Sequence, residues 1–378
     1  MPKRHIIFYK LLRPLFPLFL FIKFGYRCKK AGKLPGNYLV LSNHNTDFDF
    51  LMVASSFPEQ MYFVGSEHIA RWKKLYAIIT YCFGLVTRSK GTTASSTVLE
   101  MLRLLRAGNN VCLFAEGARS WDGITGPILP STGKILQKAK CGLVTYRIEG
   151  GYFASPRWSV RTRRGRVYGA PVNFYSAEQL SAMTAEEINA AINRDLYEDA
   201  YARQLEAPAA YRGKGLAEGM ENLLFLCPQC GSMDTIHSRG DAVSCTDCGM
   251  TFRYDSTGML VDAPFRTVKE LADWQKEKVS EAAGANAAYT APSAILRRVE
   301  NHEETVLAQG PVSMDAEALI CGDVTIPMAT ITHFDIHGKR GLVFSTTDGY
   351  YELKPEAPAN ALKFVLLHNA HKELTKAR

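Results

Sequence analysis

The sequence predicts an α/β core with a mixed sheet and flanking helices, followed by a small metal-binding ribbon and a C-terminal β-rich domain. Three observations carry that prediction. Short apolar runs alternate with amphipathic stretches through the first half. Two C-x-x-C pairs stand close together after residue 220, and short β-like runs broken by Gly and Asp dominate from residue 294. A chain of 378 residues is too long for one average domain, so two or three are expected. With 47% hydrophobic and 22% charged residues, it is neither disordered nor fibrous. The formal charge of +8 suits an anionic partner: a lipid surface, a phosphorylated substrate or nucleic acid.

The chain opens on an apolar stretch, Ile6 to Tyr26, interrupted by Lys10, Arg13 and Lys23 and by Pro14 and Pro17. No A-x-A-like cleavage site follows, which argues against a secretory signal. Its longest charge-free run, Pro14 to Ile22, is about half of the ~20 residues that a spanning helix needs. Basic residues beside aromatics fit the headgroup boundary, where Lys and Arg can snorkel. The segment reads as an interfacial or re-entrant anchor at the cytoplasmic face of a membrane, with a tilted single span or a core helix as alternatives.

The run 38–42 (YLVLS) predicts a buried strand ending at Asn43 and His44. A helix is expected over Asp49 to Phe57, with Asn45, Thr46 or Asp47 as its N-cap, then a strand over 61–65. Residues 97–107 place Val98, Leu99, Leu102 and Leu105 on one helical face, closed by Gly108. A strand over 111–117 runs into a Gly turn. Another strand is expected over 142–148, then a basic two-stranded segment over 158–172 turning at Gly165, and a long helical stretch over 177–206. Ligands in such sheets sit at the carboxyl ends of strands, where both polar motifs fall.

The first motif is Asn43-His44-Asn45-Thr46-Asp47-Phe48-Asp49. An imidazole can take a proton from an alcohol near neutral pH, and a carboxylate beside it fixes the tautomer and stabilises the imidazolium. Five positions on one helix are ~140° apart, so His44 meets Asp49 only if it precedes the helix and the chain turns between them. Helical spacing alone favours Asp47. The second motif is Phe114-Ala115-Glu116-Gly117-Ala118-Arg119-Ser120, a strand entering a Gly turn that presents a guanidinium able to grip phosphate. Between them lies Gly84-Leu85-Val86-Thr87-Arg88, with Lys90 nearby.

Over roughly residues 35–170 these blocks resemble the glycerolipid acyltransferase family, which carries N-H-x-x-x-x-D, G…R and F-P-E-G-x-R-S blocks in this order. The resemblance implies His44 as general base oriented by Asp49, and Arg88, Glu116, Gly117 and Arg119 as acceptor-binding residues. It implies acyl transfer from a thioester donor, acyl-CoA or acyl carrier protein, to a lysophosphatidate-type lysolipid in phospholipid synthesis, by direct attack. The sequence departs from the family pattern in Ala115 for the usual Pro and Thr87 for an acidic residue. The fourth block, 143–148, lacks its Pro. The competing readings are an inactive membrane-docked zinc-ribbon scaffold, a metal-dependent hydrolase using His44, Asp47 and Asp49, and a nucleic-acid binder. The last is disfavoured because the ribbon has no concentrated basic face. The five arginines of Arg157 to Arg166 read either as contacts to headgroup or carrier phosphates or as a solvated hairpin.

Cys227, Cys230, Cys245 and Cys248 form two C-x-x-C-G turns separated by fourteen residues. Four thiolates make a closed tetrahedral site, which favours structural Zn2+ over catalytic zinc. His237, between the pairs, is not needed as a ligand. The other five cysteines read as small apolar packing residues, and the paired spacing points to a reduced compartment. A helix is expected over 268–280, a linker over 281–293, and a last helix over about 360–372. The tail resembles a pleckstrin-homology-like barrel closed by that helix, suited to headgroup docking or protein contact. The parts are thus 1–27, a membrane-interfacial segment; 28–220, the acyltransferase domain; 221–256, the zinc ribbon; 257–293, helix and linker; and 294–378, the β-rich domain.

Overall fold

A computed structural model describes residues 2–66, 73–88, 94–300 and 303–377. Lys90 lies outside them. The chain divides into two compact units, Met1–Arg157 with Thr162–Gly213, and Trp158–Arg161 with Lys214–Arg378.

The first unit opens with helices α1 (Lys3–Leu12) and α2 (Leu15–Phe24). They meet at an angle of 49° at Pro14, as expected where a ring replaces a backbone donor. Among the described residues no single helix is long and apolar enough to cross a membrane; only this bent pair meets the requirement of length and composition. Strand β1 (Tyr26–Cys28) follows, then β2 (Tyr38–Ser42), α3 (Asp49–Ser56) and β3 (Met61–Ser66). Next come α4 (Lys73–Phe83), β4 (Leu85–Arg88), α5 (Ala94–Arg106), β5 (Asn110–Phe114), α6 (Ser131–Ala139), β6 (Gly142–Glu149) and β7 (Val167–Tyr175).

The seven strands form one mixed sheet in the order β1-β7-β6-β2-β5-β3-β4, antiparallel only between β6 and β7. Its centre is β2, buried along its length and paired in parallel with β5 and β6. Leu39, Leu41, Val111 and Leu143 from these strands pack with Met101 and Leu105 of α5 and Leu136 of α6 in one core. The register puts Ser42 beside Phe114, so the chain segments leaving β2 and β5 emerge together at one edge of the sheet.

Three expectations are corrected. The basic segment is not two-stranded: only β7 is a strand, and residues 157–166 are irregular apart from a single bridge between Arg164 and Arg212. Its arginines are held by the protein rather than presented as a hairpin. Arg163 is buried and donates to Phe153 O, while Arg164 lies over the Phe21 ring, 4.9 Å from its centroid. The stretch 177–206 is three helices, Ala177–Ala182, Ala185–Leu196 and Ala200–Glu206, because Ser176, Thr184 and Asp199 each cap a new N-terminus. The linker shrinks to residues 285–288, since the helix Val268–Gly284 runs past its expected end at 280 and a strand begins at Tyr289.

In the second unit, β8 (Ile236–Arg239), β9 (Ala242–Cys245), β10 (Thr251–Tyr254) and β11 (Leu260–Val261) form a small antiparallel sheet around the cysteine turns. A separate seven-stranded antiparallel sheet spans 289–355, built on the long pair Tyr289–Glu300 and Glu303–Met314. The final helix, Leu362–Ala377, follows it. At the start of that helix the buried Lys363 pairs with Asp234 from the ribbon and donates to Thr290 O at 2.6 Å. A buried ammonium needs such partners, so this contact ties ribbon, sheet and helix together.

Candidate active site

His44 leaves the end of β2, and the chain turns before α3 begins. That turn brings His44 Nδ1 within 2.9 Å of Asp49 Oδ2. Asp49 is 0% exposed and His44 24%. Asp49 is a hub. Its Oδ2 also accepts from the backbone N–H groups of Asn45 (2.6 Å) and Thr46 (2.9 Å), and its Oδ1 accepts from Thr46 Oγ1 (2.7 Å). The N-cap position of this helix is Phe48, with no side-chain bond, so none of Asn45, Thr46 and Asp47 takes the N-cap position expected of it. Four donors converge on this one carboxylate and hold it aligned, with the imidazole as one of them.

Asp47, the partner that helical spacing favoured, points elsewhere. It is 77% exposed, and its Oδ1 lies 2.9 Å from Nη1 of Arg119.

The second motif locks the first from across the sheet. Glu116 Oε1 accepts from the His44 backbone N–H at 2.7 Å, and Oε2 from Gly126 N–H at 2.5 Å. A Cβ at position 126 would stand 3.2 Å from that Oε2, a tight contact that glycine avoids. Desolvation pushes the Glu116 carboxyl up to about 7, against the pull of the two amides. Phe114 stacks on the imidazole with ring centroids 4.6 Å apart and planes 21° from parallel. The imidazole is therefore fixed through its backbone, one ring nitrogen and one face, leaving Nε2 for a ligand.

Arg119 Nε donates to Asn45 O (2.8 Å), and Nη2 donates to Ser155 O (2.6 Å) and Oγ (3.2 Å). Gly117 has φ +72°, and a Cβ there would meet nothing within 4 Å. Glycine is needed there for the backbone conformation of the turn. Arg88 ends β4 at the same edge of the sheet, three strands from β2 and so ~14 Å away at the usual strand spacing. Its side chain lies outside the described residues.

Sequence reasoning missed four residues that build the site: Asn43, Phe114, Gly126 and Ser155. Asn43 pairs with the Ile148 peptide of β6 on both sides, donating to its O (2.9 Å) and accepting from its N–H (2.7 Å). For Phe114 the signal was present, an aromatic ending the strand beside the one that presents His44. For the others the partner is too distant in sequence to read.

The cysteines come together as a second site. Sγ atoms of Cys227, Cys230, Cys245 and Cys248 all lie within 4.8 Å of one another. The pairs Cys227–Cys248 and Cys230–Cys245 are 3.7 and 3.8 Å apart. Tetrahedral thiolates at the Zn–S distance of about 2.3 Å have sulfurs about 3.8 Å apart, so the group fits zinc. Burial pushes the Cys227 thiol up to about 12, against the N–H groups of Cys230 and Gln229 that face its Sγ, whereas Cys245 is lowered to about 6, where the Thr235 hydroxyl and the N–H groups of Cys248 and Asp247 outweigh its burial. Among the described residues this is the only group of three or more His, Cys, Asp or Glu placed to hold a metal.

Comparison with known proteins agrees with the geometry. A family model described as Acyltransferase matches residues 26–149. No curated protein matches the chain. Among solved structures, it is similar to the 1-acyl-sn-glycerophosphate acyltransferase PlsC from Thermotoga maritima, at 18% identity and a TM-score of 0.42, over 50% of this chain and 76% of that one. It is also similar to the N-terminal PH domain of human ARAP2, at 13% identity and a TM-score of 0.20, over 24% of this chain and 84% of that one. The family match spans the His44 block, Arg88 and the Glu116–Arg119 block in order, so residues 26–149 of this chain are similar to an acyltransferase domain.

Proposed function

We propose that the protein transfers a fatty acyl group from a thioester, acyl-CoA or acyl carrier protein, to the hydroxyl of a lysophosphatidate-type acceptor. The observation that carries this reading is the 2.9 Å contact between His44 Nδ1 and the wholly buried Asp49. With Nδ1 engaged, Nε2 takes the proton of the acceptor hydroxyl as its oxygen attacks the thioester carbonyl carbon. The C–S bond then breaks, and the imidazolium returns the proton to the departing thiolate. Asp49 stabilises the imidazolium between these events. No covalent enzyme intermediate is needed. Arg119 and Arg88 supply positive charge for the acceptor phosphate, and Gly117 shapes the turn that presents Arg119. Glu116, engaged with two backbone amides, acts by holding His44 in place.

Zinc at the four cysteines is structural in this reading, since all four positions are protein thiolates and none is open to substrate. We read α1 and α2 as lying in the headgroup boundary at a cytoplasmic membrane face. Ile7, Leu11, Leu15, Leu18 and Ile22 are exposed there, and residues 1–46 hold nine Lys and Arg and no Asp or Glu. The β-rich tail is read as a pleckstrin-homology-like docking domain.

The test is purified full-length protein in detergent, offered a panel of lysolipids and glycerol 3-phosphate with both donors. Transfer to at least one acceptor is expected, and His44→Ala should lower kcat by about 10²- to 10⁴-fold, the usual contribution of a general base. No transfer to any acceptor would leave the inactive scaffold as the reading. Sedimentation with anionic vesicles but not with neutral ones is the accompanying check on the membrane assignment.

A further inference from the structure

We propose that Asp47 occupies, on Arg119, the place of the acceptor's phosphate, and that displacing it sets which acceptors the site takes. The proposal rests on the acyl-transfer reading and refines it.

Arg119 does not offer its donors equally. Nε and Nη2 are committed to groups that cannot leave, the carbonyl oxygens of Asn45 and Ser155 and the hydroxyl of Ser155. Each is part of the chain that forms the site, and the Arg119 side chain is only 14% exposed. Nη1 differs. Its partner is the Asp47 carboxylate, on a side chain 77% exposed, and among the described residues Nη1 has no second acceptor. The outward edge of the guanidinium is therefore the one edge a ligand can reach, and it is covered by an anion that solvent can take back. Two residues before Asp49 and three after His44, that anion stands next to the reacting imidazole's own loop.

A phosphate oxygen arriving at Nη1 must replace the carboxylate oxygen, because both need the same N–H directions. The acceptor thus gains the difference between its own contact and that of Asp47. A phosphomonoester, with close to two negative charges, wins this exchange by more than a phosphodiester with one. Asp47 also remains nearby after displacement, where it repels a dianion more than a monoanion. Both effects depend on its charge, and both disappear with it.

The experiment compares wild type with Asp47→Asn, which keeps the shape and removes the charge. An exposed ion pair of this kind contributes modestly, so KM for a lysophosphatidate acceptor should fall about two- to fivefold with kcat within twofold. For lysophosphatidylcholine the change should be smaller. In an Arg119→Ala background, Asp47→Asn should have no further effect, since the pair it breaks is already gone. An unchanged or raised KM for lysophosphatidate, or an equal change for both acceptors, overturns the proposal. A second readout does not require turnover: calorimetric titration of glycerol 3-phosphate into the full chain should give a Kd about two- to fivefold tighter for Asp47→Asn. Inactive wild-type protein with that tightening would sink the acyl-transfer reading and leave the assignment of Asp47 standing. Active protein without it would do the reverse.

Discussion

The two candidate sites of this chain are built on opposite principles. At the metal site each sulfur pair comes from one turn of four residues, and the amides that face Cys227 and Cys245 belong to the two residues completing the same turn. The string C-x-x-C-G thus contains most of its own geometry. At the candidate active site only the pair His44–Asp49 is local. Glu116 reaches the His44 amide from 72 residues away, and Asn43 holds Ile148 across 105. A local site survives as long as its turn does; a dispersed one exists only while the sheet is intact. The metal site should therefore fail by unfolding and the catalytic site by losing activity.

The largest effect expected is on stability. Structural zinc binds to small ribbons with on the order of 10 kcal/mol, and that binding free energy is largely folding free energy. Metal analysis should find one zinc per chain, and Cys245→Ser should abolish it and lower the thermal midpoint of the second unit. His44→Ala should leave that midpoint almost unchanged while removing turnover. Because His44, Asp47 and Asp49 are engaged with each other, with backbone amides and with Arg119, chelation should not act at the reacting centre. Chelator-sensitive transfer at a temperature where the ribbon stays folded would overturn the division and revive the hydrolase reading.

The same contrast explains what could be read in the sequence. The four cysteines were legible because ligand type and spacing suffice. His44 with Asp49 was legible only through the family resemblance, since helical spacing pointed to Asp47. The turn that decides between them depends on Asp49 accepting the amides of Asn45 and Thr46, which no periodicity encodes. Likewise, strand β1 and helix α4 escaped detection. β1 is three residues long and pairs with β7, some 140 positions later, so tertiary pairing rather than local propensity makes it a strand. The over-long helix at 177–206 and the hairpin at 158–172 failed for a related reason. Composition there was right for those elements, but helix caps at Ser176, Thr184 and Asp199 divided the first, and in the second the buried Arg163 is tied to the Phe153 carbonyl instead of standing on a hairpin.

A smaller effect sharpens the comparison through pH. Glu116 has its carboxyl pushed up to about 7, first by desolvation, with the amides of Gly126 and His44 pulling down. A carboxyl raised in this way binds its proton more tightly folded than unfolded. Its contribution to stability is full below the ordinary carboxylate range and is lost as pH rises through about 7. Glu116→Gln cannot titrate. The unfolding free energy of wild type, relative to this variant, should thus fall between pH 5 and pH 8 in urea denaturation. A difference that stays flat, or grows with pH, would mean that the amides outweigh desolvation and that Glu116 is ionised throughout.

The smallest effect should come from the hub itself. Thr46 Oγ1 donates to Asp49 Oδ1 at 2.7 Å and accepts from Phe48 N–H at 3.0 Å. Thr46→Ala removes both bonds but leaves the two amides and the imidazole on Asp49. One net hydrogen bond in a folded protein contributes about 1 kcal/mol, so stability should fall by roughly that amount. Turnover should fall about three- to tenfold, because a carboxylate with one donor fewer still holds the His44 tautomer but orients the ring less firmly. A loss as large as that of His44→Ala would mean that Thr46, not the backbone turn, is what brings His44 and Asp49 together. The site would then be as local as the cysteine turns, and the contrast between the two would not hold.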